Sequence, residues 1–412
     1  MIIIKYYLKL LQQECFLCGR FAYILSALLV SLSMQPAYAD EERWLPQSVQ
    51  IHGFLSQGFI TTTDNNFFGD TDNNISTDFR ELGINGSWRA LPDLQLALQV
   101  VWRDAGQTDE SGVRIDYGLA DYNFYSTEAT TLGIKAGRVP TPFGLYNDTR
   151  DVASTRPGIL LPQSIYFDRN RNLAISGDGG YIYGEQRTGY GDLSLDLGVI
   201  SPRFEDPEFR HALAGNLPGK IKGDATFVSR LMYEWQSGVV RLAVTYLNVN
   251  AHFAPDPAPV NLSSGTFSFR PWYFSAQYNA EKWSLTAEYA LRNIRLNGFG
   301  LFPDADTTGE SFYLQGIYHF TSYLQGMIRY DDFAADRSDR HGRKYAAATG
   351  RPDYTRFAQD WTFGLRVEVL PKLLVSAEYH NVNGSGWLAG IENPEGTKQH
   401  WHLFALMVSY DF

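Results

Sequence analysis

From residue 48 to the end of the chain, apolar side chains recur at every second position in segment after segment. The last segment shows the pattern plainly. Phe404, Leu406, Val408, Tyr410 and Phe412 share one parity; Leu403, Ala405, Met407, Ser409 and Asp411 share the other. A strand sends successive side chains to opposite faces, so a period of two lets one set meet an apolar medium together. Sixteen such segments are readable: 48–62, 77–90, 94–103, 113–124, 131–139, 175–187, 191–201, 224–235, 239–250, 266–279, 283–295, 310–320, 323–331, 360–369, 373–383 and 400–412. In 360–369, Trp361, Phe363, Leu365, Val367 and Val369 stand against Thr362, Gly364, Arg366 and Glu368. In 266–279 the parity is ambiguous.

The connections alternate in length. Seven are short, such as Leu91-Pro92-Asp93 and Leu370-Pro371-Lys372. Eight are long and polar: 63–76, 104–112, 140–174, 202–223, 251–265, 296–309, 332–359 and 384–399. Strict alternation puts all turns at one end and all loops at the other, with both termini on the turn side. A soluble propeller or sandwich also has many short strands, but it does not require that asymmetry. Nor does it require aromatics at the strand ends on the apolar parity. Trp88, Trp235, Trp283, Phe320 and Phe412 hold those positions at the turn side, with Phe59, Trp102 and Tyr246 near the loop side. Such belts suit two membrane interfaces. In hydrocarbon an unpaired backbone group costs several kcal/mol, so the sheet must close on itself, its first strand against its last. A barrel of about 16 strands is too wide for side chains to fill, and it holds water.

The first 39 residues read as a cleaved export signal. Lys5, Lys9 and Arg20 precede a short apolar core, Phe21 to Leu32, and Ala37-Tyr38-Ala39 is a small-x-small cleavage site. The expected domain is then 40–412, a single barrel. Both cysteines, Cys15 and Cys18, leave with the signal, which excludes disulfides and thiolate chemistry from the rest. The net charge of −10 becomes −12, because three basic residues and Glu14 are removed. An acidic chain argues against nucleic acid as a partner.

The third long connection, 140–174, is unlike the others. It opens Pro140-Thr141-Pro142-Phe143-Gly144 and then alternates in charge: Asp148, Arg150, Asp151, Arg156, Asp168, Arg169 and Arg171. Val152, Ile159, Leu160, Leu161, Ile165 and Tyr166 are too many apolar residues for a solvated loop, and they need a wall to pack against. With its terminal aromatic, similar to the assembly signal of bacterial outer-membrane barrels, the chain resembles the sixteen-stranded general porins of Gram-negative bacteria. The Pro-Thr-Pro-Phe-Gly run is similar to that family's Pro-Glu-Phe-Gly-Gly turn, not identical with it. The resemblance implies an all-β transmembrane antiparallel barrel with short periplasmic turns and long outer loops. It implies a third loop folded into the lumen as a constriction, with acids among Asp148, Asp151 and Asp168 facing a basic wall, and a homotrimer in the outer membrane among lipid and lipopolysaccharide.

The polar parity supplies that wall: Arg103, Arg114, Lys135, Arg230, Arg241, Arg292, Arg329 and Arg366, with Glu81, Asp116, Glu288, Glu368 and Glu378 among the acids. Charges of both signs predict a water-filled channel for passive diffusion of small hydrophilic solutes and ions, without strong selectivity. An anion channel would need a one-signed ladder. A sugar channel would need inward aromatics, for which Tyr122, Phe124, Trp272, Phe274 and Tyr278 are the candidates. A barrel with a blocked lumen, serving as an adhesin or structural element, remains an alternative. No enzyme, cofactor or metal is expected. His400 and His402, with His380 across the sheet, make a weak metal candidate. The Asp- and Asn-rich stretches 64–74 and 331–339 do not have the spacing of a helix–loop–helix calcium site.

Overall fold

Phe412 and Gly53 exchange backbone hydrogen bonds of 2.9 Å each, so the chain's last residue is stitched to its first strand. The structure, a computed structural model, describes residues 46–109, 111–204, 218–256, 263–298 and 304–412. The expected export signal lies outside the described residues. The strands are β1 (Val49–Thr62), β2 (Arg80–Leu91), β3 (Leu94–Asp104), β4 (Gly112–Ser126), β5 (Thr130–Pro140), β6 (Ser176–Thr188), β7 (Gly191–Pro202), β8 (Gly219–Gly223), β9 (Thr226–Trp235), β10 (Val240–Pro255), β11 (Gly265–Asn279), β12 (Trp283–Asn297), β13 (Ala305–His319), β14 (Leu324–Ala334), β15 (Phe357–Leu370), β16 (Leu373–Gly384) and β17 (His400–Asp411).

The sheet is antiparallel throughout, and β17 returns to β1 in register from Phe54↔Asp411 to Thr62↔Leu403. No edge is left, as a sheet in hydrocarbon requires. The short β8 pairs with the outer end of β10, from Ala251↔Gly223 to Pro255↔Gly219, and lies just ahead of β9. The barrel wall therefore has sixteen strands. The segment expected at 224–235 begins as Thr226, with β8 as its outward extension.

The two parities face different media. On β17, Phe404 and Leu406 are 48% and 40% exposed on the outer surface, while Leu403 and Ala405 are 0% and 5% exposed inside. Trp88, Trp235, Trp283, Phe320 and Phe412 are exposed at the turn end. Tyr122, Phe124, Trp272, Phe274 and Tyr278 also face outward, which removes the aromatic track that a sugar channel would need. Their partners on the same strands, Tyr273, Ser275 and Asp116, are the buried ones.

Two hydrophobic clusters lie within the wall. One joins Val139, Phe143, Leu161, Ile165 and Tyr166 to Leu247, Val249, Phe253 and Phe267. The other joins Ala153, Ile159 and Leu160 to Phe333, Val382, Trp387 and Trp401. The loop 141–175 contributes to both, so it reaches from the β10–β11 side to the β14–β17 side. That gives its apolar residues the cover they need.

Candidate functional site

The loop is held first by itself. The Asn147 side-chain amide donates to the carbonyls of Thr141 (2.8 Å) and Ala174 (2.9 Å), tying its outgoing and returning legs together. Its backbone is then secured by inward side chains of successive strands. Glu288 on β12 accepts from Leu145 N–H (3.1 Å) and from the hydroxyls of Tyr166 (2.6 Å), Tyr313 (2.8 Å) and Ser275 (2.5 Å). Arg292 donates to the Ser164 carbonyl at 2.9 Å, and Arg329 to that of Leu160 at 3.1 Å. Glu378 accepts from the Ile159 and Leu160 amides at 2.8 and 3.1 Å. Arg366 donates to the carbonyls of Ser154 and Arg156. Buried polar groups must be paired, and here wall and loop pair each other.

The charges do not divide into an acidic loop and a basic wall. Of the three loop acids, Asp148 meets wall Arg230 at 2.8 Å. Asp168 lies between Arg103 of the wall (3.4 Å) and Arg150 of the loop (3.3 Å), and Asp151 stands against Arg171 of the loop itself. In the other direction, wall Glu81 takes Arg156 of the loop at 2.6 Å and Arg103 at 3.2 Å. The reason is local: the loop carries four arginines of its own, and buried guanidinium groups need carboxylates as much as the acids need cations.

Arg103 is the hub. It is 1% exposed and also meets Asp109. Asp109 in turn holds Arg114 in a two-point contact of 2.6 and 2.8 Å, with Arg171 at 3.9 Å. Burial alone would push the Asp109 carboxyl up, but Arg103, Arg114 and Arg171 hold it below the ordinary carboxylate range. Sequence periodicity gives no signal for Asp109, because it lies in a loop.

The remaining wall candidates stand apart from this hub. Arg230 also contacts Asp196 at 3.3 Å, and Arg241 pairs with Glu234 at 2.6 Å near the turn end. Lys135 lies over the Tyr183 ring, 4.7 Å from its centre. Arg292 is stacked between Phe167 and Phe333 at 4.9 and 4.8 Å. Glu368 and Arg366 line a cavity of about 480 Å³ with Thr155, Arg156 and Lys372. A second cavity, about 920 Å³, lies among the outer loops, lined by Asn66, Arg169, Tyr354 and Glu392 among others. Glu392 draws those loops together, accepting from the amides of Phe68 (3.0 Å), Gly69 (3.0 Å) and Gln107 (3.1 Å).

The histidine candidate does not assemble. His380 is buried inside, against Asp360 (2.7 Å) and Glu378 (3.2 Å). His402 stacks on Tyr379, the residue before His380 on β16, whose side chain leaves by the opposite face. Among the described residues no group of three or more His, Cys, Asp or Glu is placed to hold a metal ion.

No protein-family model and no curated protein matches this sequence. Solved structures do. The chain is similar to the outer membrane channel DcaP of Acinetobacter baumannii, at 12% identity and a TM-score of 0.56, over 88% of this chain and 97% of that one. It is similar to an anion-selective porin from Comamonas acidovorans, at 11% identity and 0.56, over 89% and 99%. It is also similar to Salmonella typhi OmpF, at 14% identity and 0.55, over 88% and 97%. At such identities the likeness is one of fold: the closed sixteen-stranded barrel of the porins.

Proposed function

We propose that this chain is an outer-membrane porin of a Gram-negative bacterium, a passive channel for small hydrophilic solutes and ions. The observation that carries the reading is the charged loop 141–175, held across the inside of a closed barrel by side chains from β2 to β16. Its residues Asp148, Arg150, Asp151, Arg156, Asp168, Arg169 and Arg171 form the narrow zone together with Arg103, Arg114, Arg230, Arg292, Arg329, Arg366 and Glu288 of the wall. Lys135, Arg241 and Glu368 line the approach. Fixed charges in a low-dielectric wall set the field that a passing ion meets. Both signs are present and largely paired, so weak ion preference is the expectation. The likeness to solved channels supports the same reading, and a homotrimer among outer-membrane lipid and lipopolysaccharide is part of the proposal.

Planar-bilayer recording of the purified, folded protein tests it. Stepwise conductance that scales with salt is expected. A folded barrel that passes no current, and whose liposomes exclude small solutes, would overturn the reading in favour of a blocked lumen. Reversal potentials in a salt gradient, for wild type and Arg150→Ala, would give the ion preference; migration at threefold mass before heating would show the trimer.

A further inference from the structure

The inside of a water-filled barrel is an odd place for a patch of bare hydrocarbon. Yet the outer ends of β10, β11 and β12 turn Leu247, Val249, Phe267, Phe269, Ile294 and Leu296 inward. The loop covers part of this patch with Phe143 and Ile165. Between loop and wall a cavity of about 280 Å³ remains. For scale, a dry apolar cavity of about 150 Å³ is enough to take benzene.

The cavity also has a polar side. Thr141 and Thr226 line it, 2% and 0% exposed, and neither hydroxyl has a hydrogen-bond partner among the described residues. The side-chain amide oxygen of Asn170 is unpartnered in the same way. Arg150 and Arg169 also line it. Arg150 is committed to Asp168 and the Tyr166 carbonyl. Arg169 makes one long bond, 3.4 Å to the Leu388 carbonyl, and meets no carboxylate among the described residues. It also lines the wider cavity of the outer loops. Arg169 also lies over the Phe167 ring, 5.3 Å from its centre. Mostly apolar walls with a few convergent polar groups and one cation that meets no carboxylate are what small-molecule sites look like.

We infer that this cavity is a binding site for a small hydrophobic carboxylate, a single ring with one acid group, its ring between the cross-strand pair Val249 and Phe269 of the wall and Ile165 of the loop, and its carboxylate at Arg169. The site goes beyond passive diffusion and does not require the barrel to conduct, because occupancy is read without current.

Isothermal titration of 3-phenylpropanoate into the full barrel, folded in detergent, tests it beside propanoate and 3-phenylpropan-1-ol. Saturable binding of the aromatic acid is expected, with none of propanoate. Val249→Phe fills the cavity and should weaken binding at least tenfold; Leu296→Phe serves if that variant does not assemble. Arg169→Gln should weaken the acid about tenfold and leave the alcohol unchanged. No saturable binding to wild type, or equal binding to the filled variant, would overturn the site. An alcohol that binds as tightly as the acid would overturn the assignment of its ligand class.

Discussion

Replacing Glu81 by Gln removes one charge at a point where wall and loop are joined by a buried ion pair. Glu81 is buried and takes Arg156 at 2.6 Å, Arg103 at 3.2 Å and the Ser56 hydroxyl at 3.1 Å. Arg103 would keep Asp109 and Asp168. Arg156 would keep no carboxylate among the described residues. Removing one partner of a buried pair costs about 3–5 kcal/mol, because the other charge stays buried without compensation. Gln retains one acceptor oxygen, and Arg103 retains its other partners, so the lower end, about 3 kcal/mol, is expected. The assay is the urea midpoint of the folded barrel, read by heat-modifiable gel migration in fixed lipid. A double-mutant cycle with Arg156→Met should give a coupling of about 1–3 kcal/mol. The same variant removes a negative charge from the lumen, so its reversal potential should move toward anions. A midpoint within about 0.5 kcal/mol of wild type, or strict additivity in the cycle, would refute the claim that this pair locks the loop to the wall.

Asp109 gives a pH dependence. Its carboxyl titrates lower in the folded barrel than its unfolded value of about 3.9, so its stabilisation is complete above about pH 4 and is lost as pH falls through the folded value. Asp109→Asn should flatten the acid limb of a stability profile; an unchanged limb would count against the hub. Glu378→Gln releases part of the hold on the Ile159 and Leu160 amides and should raise current noise in single-channel records, whereas a quiet trace would show that the remaining contacts suffice. A side chain at Gly53 would overlap the Phe412 ring at the seam, so Gly53→Val should lower the yield of closed barrel in refolding, and an undiminished yield would contradict that packing.

The strands were legible because membrane and lumen sort side chains by parity, and a one-residue error would turn a whole face into the wrong medium. Segments 94–103, 191–201, 283–295 and 373–383 agree with the strands to within two residues at either end. The ambiguous parity of 266–279 has a physical cause. Trp272 and Phe274 face outward while Phe267, Phe269 and Tyr273 face the inner cavity, so both sides of β11 are apolar. The alternation blurs there because the lumen is not uniformly polar.

The sequence alone determined the number of strands, the two ends of the barrel, the inward charges and the unusual loop, since each follows from a local period or from the order of long and short connections. Only the tertiary structure decided which charges meet. Asp109, Tyr166 and Glu392 carry no periodic signal, and their roles come from groups distant along the chain, such as Glu392 with the amides of Phe68 and Gly69. Whether Asp168 faces the wall or its own loop is set by how that loop lies across the lumen, which depends on packing summed over the whole barrel and on no single stretch of it.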